Sequence, residues 1–182
     1  MRGADKLLEP VEGVAMLGRQ ARMALQLGGT VLVTLPPRAE QRRKALDGLA
    51  VEVIEIPDAR EGMAASLRAG VAALPADTQG VMILPADMPD LTLQDLRRLA
   101  DGFAAAGDGA ILRATSSDGR AGHPVIFPRS LFADFAALHG DQGARGILQR
   151  HADRVVLLAL PGEHALTDLD TPESWAAWRA RG

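Results

Sequence analysis

The stretch VMILPADMPDL, Val81–Leu91, decides how the chain is read. Four apolar residues run into Pro85, and Asp87 follows in a corner closed by a second proline, Pro89. Proline fixes φ and removes a backbone donor, so neither a helix nor a central strand continues through this point. The segment reads as a short buried strand that delivers one carboxylate to a restrained turn. In an open α/β sheet, ligands sit beyond the carboxyl ends of the strands, and Asp87 falls there. A helix cap is the plain alternative for such an aspartate. Thr92, with Asp95 three residues on, is the better N-cap for a helix from Thr92 to Ala106.

On either side, strand and helix patterns alternate. Pro10 to Leu27 spaces apolar residues helically and ends at Gly28-Gly29. TVLVTL (Thr30–Leu35) and VEVIEI (Val51–Ile56) read as strands, with a polar helix, Arg38–Leu46, between them. Glu61–Leu74 is helical, with Met63, Leu67 and Val71 on one face. Beyond the corner helix come a strand over Gly109–Thr115, an SSDGR turn and a strand HPVIFP. Two short helices, the strand RVVLLAL (Arg154–Leu160) and a helix from Thr171 complete the series. This alternation predicts a single-domain α/β/α sandwich with a largely parallel sheet.

Composition narrows the function. The 182 residues carry a net charge of −3 with no basic stripe, and aromatics are only 3%, which argues against nucleic-acid binding. There is no cysteine, hence no thiolate metal site, disulfide or Cys nucleophile. No apolar run is long enough to span a bilayer, so the expectation is a cytoplasmic protein without membrane partners.

A second acidic cluster lies in LTDLDTPESW (Leu166–Trp175). Asp168 and Asp170 are two apart, so an extended backbone points both the same way. A helix start accounts for Thr171-Pro172-Glu173 but poorly for Asp168. If this pair and Asp87 converge, they make an oxygen-ligand site for a hard divalent cation, and Mg²⁺ suits it. With four scattered histidines and no cysteine, zinc is disfavoured. His123 opens the HPVIFP strand after a turn and is a candidate to face the same crevice, a hydrogen-bonded structural role being the alternative.

Six segments, in order, carry a resemblance: GADKLLEPVEG, IPDAREGMAASLRAG, ILPADMPDLT, GRAGHPVIF, GDQGARGILQRH and LTDLDTPESW. Together they resemble the molybdenum cofactor cytidylyltransferases within the wider MobA-like NTP transferase family. The resemblance implies a three-layer α/β/α sandwich with a Rossmann-like, mostly parallel sheet of the nucleotide-diphospho-sugar transferase type. It implies Mg²⁺-dependent transfer of CMP from CTP to molybdopterin, with pyrophosphate released. Lys6 corresponds to the lysine on the nucleotide phosphates, and Gly62, Met63 and Ser66 to the segment lining base and sugar. Asp87 corresponds to the metal-binding aspartate, with Asp168 or Asp170 as second ligand. Gly122, His123 and the Gly140–Arg145 loop, with Asp141 and Arg145, correspond to the pterin side. A guanylyltransferase using GTP, a sugar-phosphate nucleotidyltransferase, or a non-catalytic cofactor-binding chaperone for a molybdoenzyme are the alternatives.

Two departures stand out. Ala86 replaces the family's usual Gly before the aspartate. The family's opening strand and its phosphate-cradling loop, Leu-Ala-Ala-Gly-x-Ser-x-Arg-Met, have no counterpart, because Met1 coincides with the Met that ends that loop. The expectation is an N-terminally incomplete domain over residues 1–182, with unpaired backbone groups where a central strand would run.

Overall fold

The computed structural model describes residues 5–57, 62–140 and 143–181. The chain opens with a 3-10 turn, Lys6–Leu8, then a small antiparallel hairpin of β1 (Pro10–Val11) and β2 (Val14–Ala15). Helix α1 (Met16–Leu25) follows at once. The helix expected from Pro10 therefore starts six residues later. Glu12 and Gly13 both take positive φ, 51° and 79°, the geometry of a two-residue hairpin turn.

Next come β3 (Leu32–Leu35), α2 (Glu40–Lys44), β4 (Glu52–Glu55), α3 (Met63–Ala72) and β5 (Gly80–Ile83). After the corner, α4 (Leu93–Ala105) leads to β6 (Ile111–Thr115) and β7 (Ala121–Pro128). The short helices α5 (Phe132–Phe135) and α6 (Arg145–Arg150), then β8 (Val155–Ala159) and α7 (Pro172–Arg179), complete the fold.

The α/β architecture is as expected, but the sheet is mixed. β3 and β4 pair in parallel, as do β6 and β8, while β7 runs antiparallel to both β5 and β6. The cause is local. The Ser116–Arg120 turn, closed by Ser116 N–H donating to Arg120 O at 2.9 Å, joins β6 to β7 with too few residues for a crossover.

Three layers follow from the two-residue period of the strands. Ile111, Val125 and Phe127 point into one core with Ala64 and Val71 of α3. Their neighbours Leu112 and Ile126 point into the opposite core with Leu91 and Leu99. Truncating such a buried leucine to alanine costs about 2–5 kcal/mol.

Among the described residues the ladder is interrupted: β3 pairs only with β4, and β5 only with β7. Helix α1 ties the two groups together. Its Leu17 and Ala21 pack with Leu35 of β3, and Ala86 beside β5 joins the same cluster. No helix among the described residues is long and apolar enough to cross a membrane.

Candidate functional site

The corner after β5 is held by three side-chain bonds from two helices. Gln20 Nε2 of α1 donates to Met88 O at 2.5 Å, and Arg19 Nη1 to Leu91 O at 3.1 Å. From α7, Trp178 Nε1 donates to Asp90 Oδ1 at 2.6 Å. Met88 and Leu91 are buried, so the corner is anchored by side chains as well as by its backbone bonds. Thr92 caps α4 in a reciprocal capping box with Asp95. That frees Asp87 from capping and leaves its carboxylate 21% exposed at the rim.

What meets Asp87 there is Lys6. Asp5 accepts from Leu7 N–H to cap the 3-10 turn, and Arg42 of α2 grips Asp5 with two bonds, at 2.6 and 3.0 Å. The clamp aims Lys6 inward. Its Nζ donates to Asp87 Oδ2 at 2.6 Å and also to Asp170 Oδ1. Burial opposes the charge on Lys6, but bonds to Asp170 and Asp87 outweigh it and hold the ammonium above the ordinary lysine range. The same bond to Lys6 holds the Asp170 carboxyl below the usual carboxylate range.

Asp170 arrives there because the tail docks firmly. Leu169 is buried, its carbonyl accepting from Trp175 Nε1 at 3.2 Å, while Asp168 and Asp170 on either side of it are exposed. Leu169, Trp175 and Trp178 pack with Val11 of the hairpin and Met16. Thr171 caps α7, with Pro172 in its first turn. Asp87 and Asp170 thus converge on one ammonium. Asp168 is not bonded to it, and its charge is felt at His123 instead.

Among the described residues no three His, Asp or Glu side chains cluster as a ready-made metal cage. The donor chemistry still suits a hard cation. Two carboxylates from distant parts of the chain already share one positive group, and few protein ligands suffice where substrate phosphates complete the shell.

His123 lies in β7 behind Gly122, whose place only glycine can fill: a Cβ would come within 2.0 Å of Ala165 O. His123 N–H donates to that carbonyl at 2.9 Å. The segment carrying Ala165 is moored in turn by His164 Nδ1, 2.8 Å from the buried Asp95. The imidazole is largely buried and its Nδ1 has no partner among the described residues. Burial, then the charge of Arg113, hold His123 below its ordinary range, against the pull of Asp87 and Asp168. Arg113 of β6 donates from Nε to Gly122 O at 3.2 Å, and Arg145 begins α6.

Gly62 caps α3 with φ 79°. Met63 is 57% exposed rather than turned inward with Val71, and Ser66 is half-buried. The loop before α6 rests on this helix start: Ala64 N–H donates to Gly140 O at 3.1 Å, and a Cβ on Gly143 would lie 2.9 Å from Met63 Sδ. Asp141 lies outside the described residues.

Sequence reasoning missed Gln20, Trp178 and Arg113. Arg113 alone left a signal, a single charge in the middle of the apolar strand ILRAT.

The profile of the MobA-like NTP transferase domain matches residues 1–155. The crystal structure of Rv0371c from Mycobacterium tuberculosis H37Rv is 32% identical, with a TM-score of 0.79 over 97% of this chain and 90% of that one. A manganese complex of Rv0371c is 29% identical, with a TM-score of 0.80 over 96% and 91%. A nucleotidyl transferase from Methanothermobacter thermautotrophicus, at 22% identity, has a TM-score of 0.80 over 98% and 85%, a likeness of fold. No curated protein matches the chain.

Proposed function

This chain belongs to the MobA-like NTP transferase family, and on that premise we propose that it transfers CMP from CTP to molybdopterin with release of pyrophosphate. Nucleotidyl transfer is the family's chemistry. The nucleotide and the acceptor are inferred from the cytidylyltransferase-like segments. The observation that carries the reading is the pair of hydrogen bonds from Lys6 to Asp87 and Asp170, which joins the middle and the tail of the chain at one rim.

Asp87 is the proposed principal ligand of Mg²⁺, with Asp170 second and Asp168 alongside. The manganese complex of Rv0371c supports a divalent cation in this fold. A cation bound here would neutralise charge across the α-phosphate and the departing pyrophosphate. Lys6, clamped through Asp5 and Arg42, supplies a point charge to the phosphates once the carboxylates no longer hold it. Gly62, Met63 and Ser66 line the base and sugar at the start of α3. Gly122, His123, Asp141 and Arg145 border the acceptor.

The attacking atom is a terminal phosphate oxygen of the acceptor. It bonds to the α-phosphorus in line while the bond to the β-phosphate oxygen breaks and pyrophosphate leaves. No protein nucleophile is consumed, so the residues contribute alignment and charge. The test is pyrophosphate release from CTP with molybdopterin and Mg²⁺. Release with CTP well above GTP is the expected result. Preference for GTP, or for a sugar phosphate acceptor, would replace the specific reaction. Cofactor binding with no release from any nucleotide would point to a chaperone.

A further inference from the structure

Residues 162–165 form a turn that three separate parts of the chain take hold of. From the link between β6 and β7, Ser117 N–H donates to Gly162 O at 2.9 Å and Arg120 pairs with Glu163. From β7, His123 N–H donates to Ala165 O at 2.9 Å. The third hold is that of α4, where His164 Nδ1 lies 2.8 Å from Asp95 Oδ2. Leu166 and Thr167 N–H then bond back to Glu163 O at 2.8 and 3.0 Å. The turn therefore passes directly into the exposed Asp168 and Asp170.

Asp95 has more partners than a helix cap requires. Its Oδ2 accepts from Thr92 N–H at 2.9 Å and from Thr92 Oγ1 at 2.7 Å, within the capping box that starts α4. Capping boxes do not require burial, yet Asp95 is only 2% exposed. A carboxylate out of water is unfavourable unless its oxygens are satisfied, and His164 supplies a third bond. Thr92 N–H and O–H both donate to Asp95, so the carboxylate is the acceptor and Nδ1 carries the proton of the third bond. That bond is a cross-link. On its one side Thr92 ends the corner that carries Asp87; on its other, His164 stands in the turn that leads to Asp170. Downstream of Asp168 the tail is fixed by Leu169, buried with Val11, Met16 and Trp175. Upstream, it is fixed to the start of α4 by His164.

We infer that Asp95 and His164 are a positioning pair for the cation site: their bond sets the 168–170 tail against the Asp87 corner and so keeps Asp170 and Asp87 at one rim. The pair acts through the backbone on either side of it rather than by touching the ion. This rests on the proposed function, in which Asp87 and Asp170 take a divalent cation.

The first arm of the test titrates Mn²⁺ into the full chain with CTP present. His164→Ala is expected to weaken Mn²⁺ about fivefold, and His164→Asn, whose amide nitrogen stands near the place of Nδ1, to restore it within about twofold. In an Asp170→Asn background the same His164→Ala change should cost less than about twofold, because the carboxylate it places is already gone. An equal loss in both backgrounds, or no loss in either, would overturn the inference. Should His164→Ala not fold, judged by its melting transition, His164→Gln takes its place, since its amide matches Nε2 and not Nδ1. The second arm follows amide hydrogen exchange over residues 166–170 without metal or nucleotide. His164→Ala should speed it about tenfold while α6 is unchanged, with His164→Asn again restoring it. If the parent protein takes up no Mn²⁺, the cation reading fails, and the exchange arm alone decides whether the pair holds the tail. Exchange as slow in His164→Ala as in the parent, or faster exchange with Mn²⁺ affinity unchanged, would contradict the assignment.

Discussion

Two clusters of charge lie near the Asp87 corner, and they are built oppositely. Around Lys6 the charges are answered within the chain: Asp5 by Arg42, Lys6 by Asp87 and Asp170. Around His123 they are only partly answered: Arg113 donates to Gly122 O, the charges of Asp87 and Asp168 act on the imidazole, and its buried Nδ1 has no partner among the described residues. The first arrangement is self-sufficient and can be held before any ligand arrives. The second is unfavourable alone, and it is tolerated because Gly122, Ala165 and the β6–β7 ladder fix it in place.

Removing charge from the closed rim should have the largest effect. Asp87→Asn is expected to lower kcat by about 1,000-fold or more, as loss of a charge-placing group does, with the melting temperature nearly unchanged. Retained turnover would break the contrast between the two clusters. Lys6→Ala should lower kcat about 100-fold yet leave Mn²⁺ binding equal or tighter, because the internal competitor for Asp87 and Asp170 is gone. Weaker Mn²⁺ binding would show that Lys6 builds the cation site rather than filling its place.

Gln20→Ala tests whether the corner must be held still. It removes the bond to Met88 O, and a slight displacement of Asp87 should reduce kcat about tenfold, within the range that misalignment produces. An unchanged kcat would make the anchor dispensable. The smallest expected effect concerns the open cluster and pH. His123 is held below its ordinary range, so its neutral form belongs to the folded state. Its contribution is complete above the unfolded value and is lost as pH falls from there through the lower folded value. Acidification from pH 7 to pH 5 should therefore lower the melting temperature of the parent protein more than that of His123→Gln. Equal losses would show that His123 is not held neutral.

Much of this was legible in the sequence because it rests on local chemistry. Pro85 and Pro89 announced the Asp87 corner, Thr92 and Asp95 the start of α4, and Thr171-Pro172 the start of α7. A meeting of Asp87 with Asp168 or Asp170 was expected from the segments that resemble the family and from residue type; that Asp170 is the one bonded to Lys6 was not. The hairpin before α1 was hidden because Val11 and Val14 fit a helical spacing as well as a turn. The antiparallel course of β7 was not drawn from the SSDGR turn, although so short a link dictates it. The partners of Gln20, Trp178 and Arg113 were hidden for a different reason, even though Arg113 itself stood out in its strand. They lie 68, 88 and 9 residues away, and two of these bonds depend on how helices dock across the corner.

The central claim is that Asp87 and Asp170 share one cation position at the rim of the sheet. Titration of Mn²⁺ into the full chain with CTP present tests it most directly. One Mn²⁺ per chain is predicted, with affinity falling more than tenfold in Asp87→Asn and measurably in Asp170→Asn. Binding of Mn²⁺ as tight in both variants as in the parent protein would contradict the account.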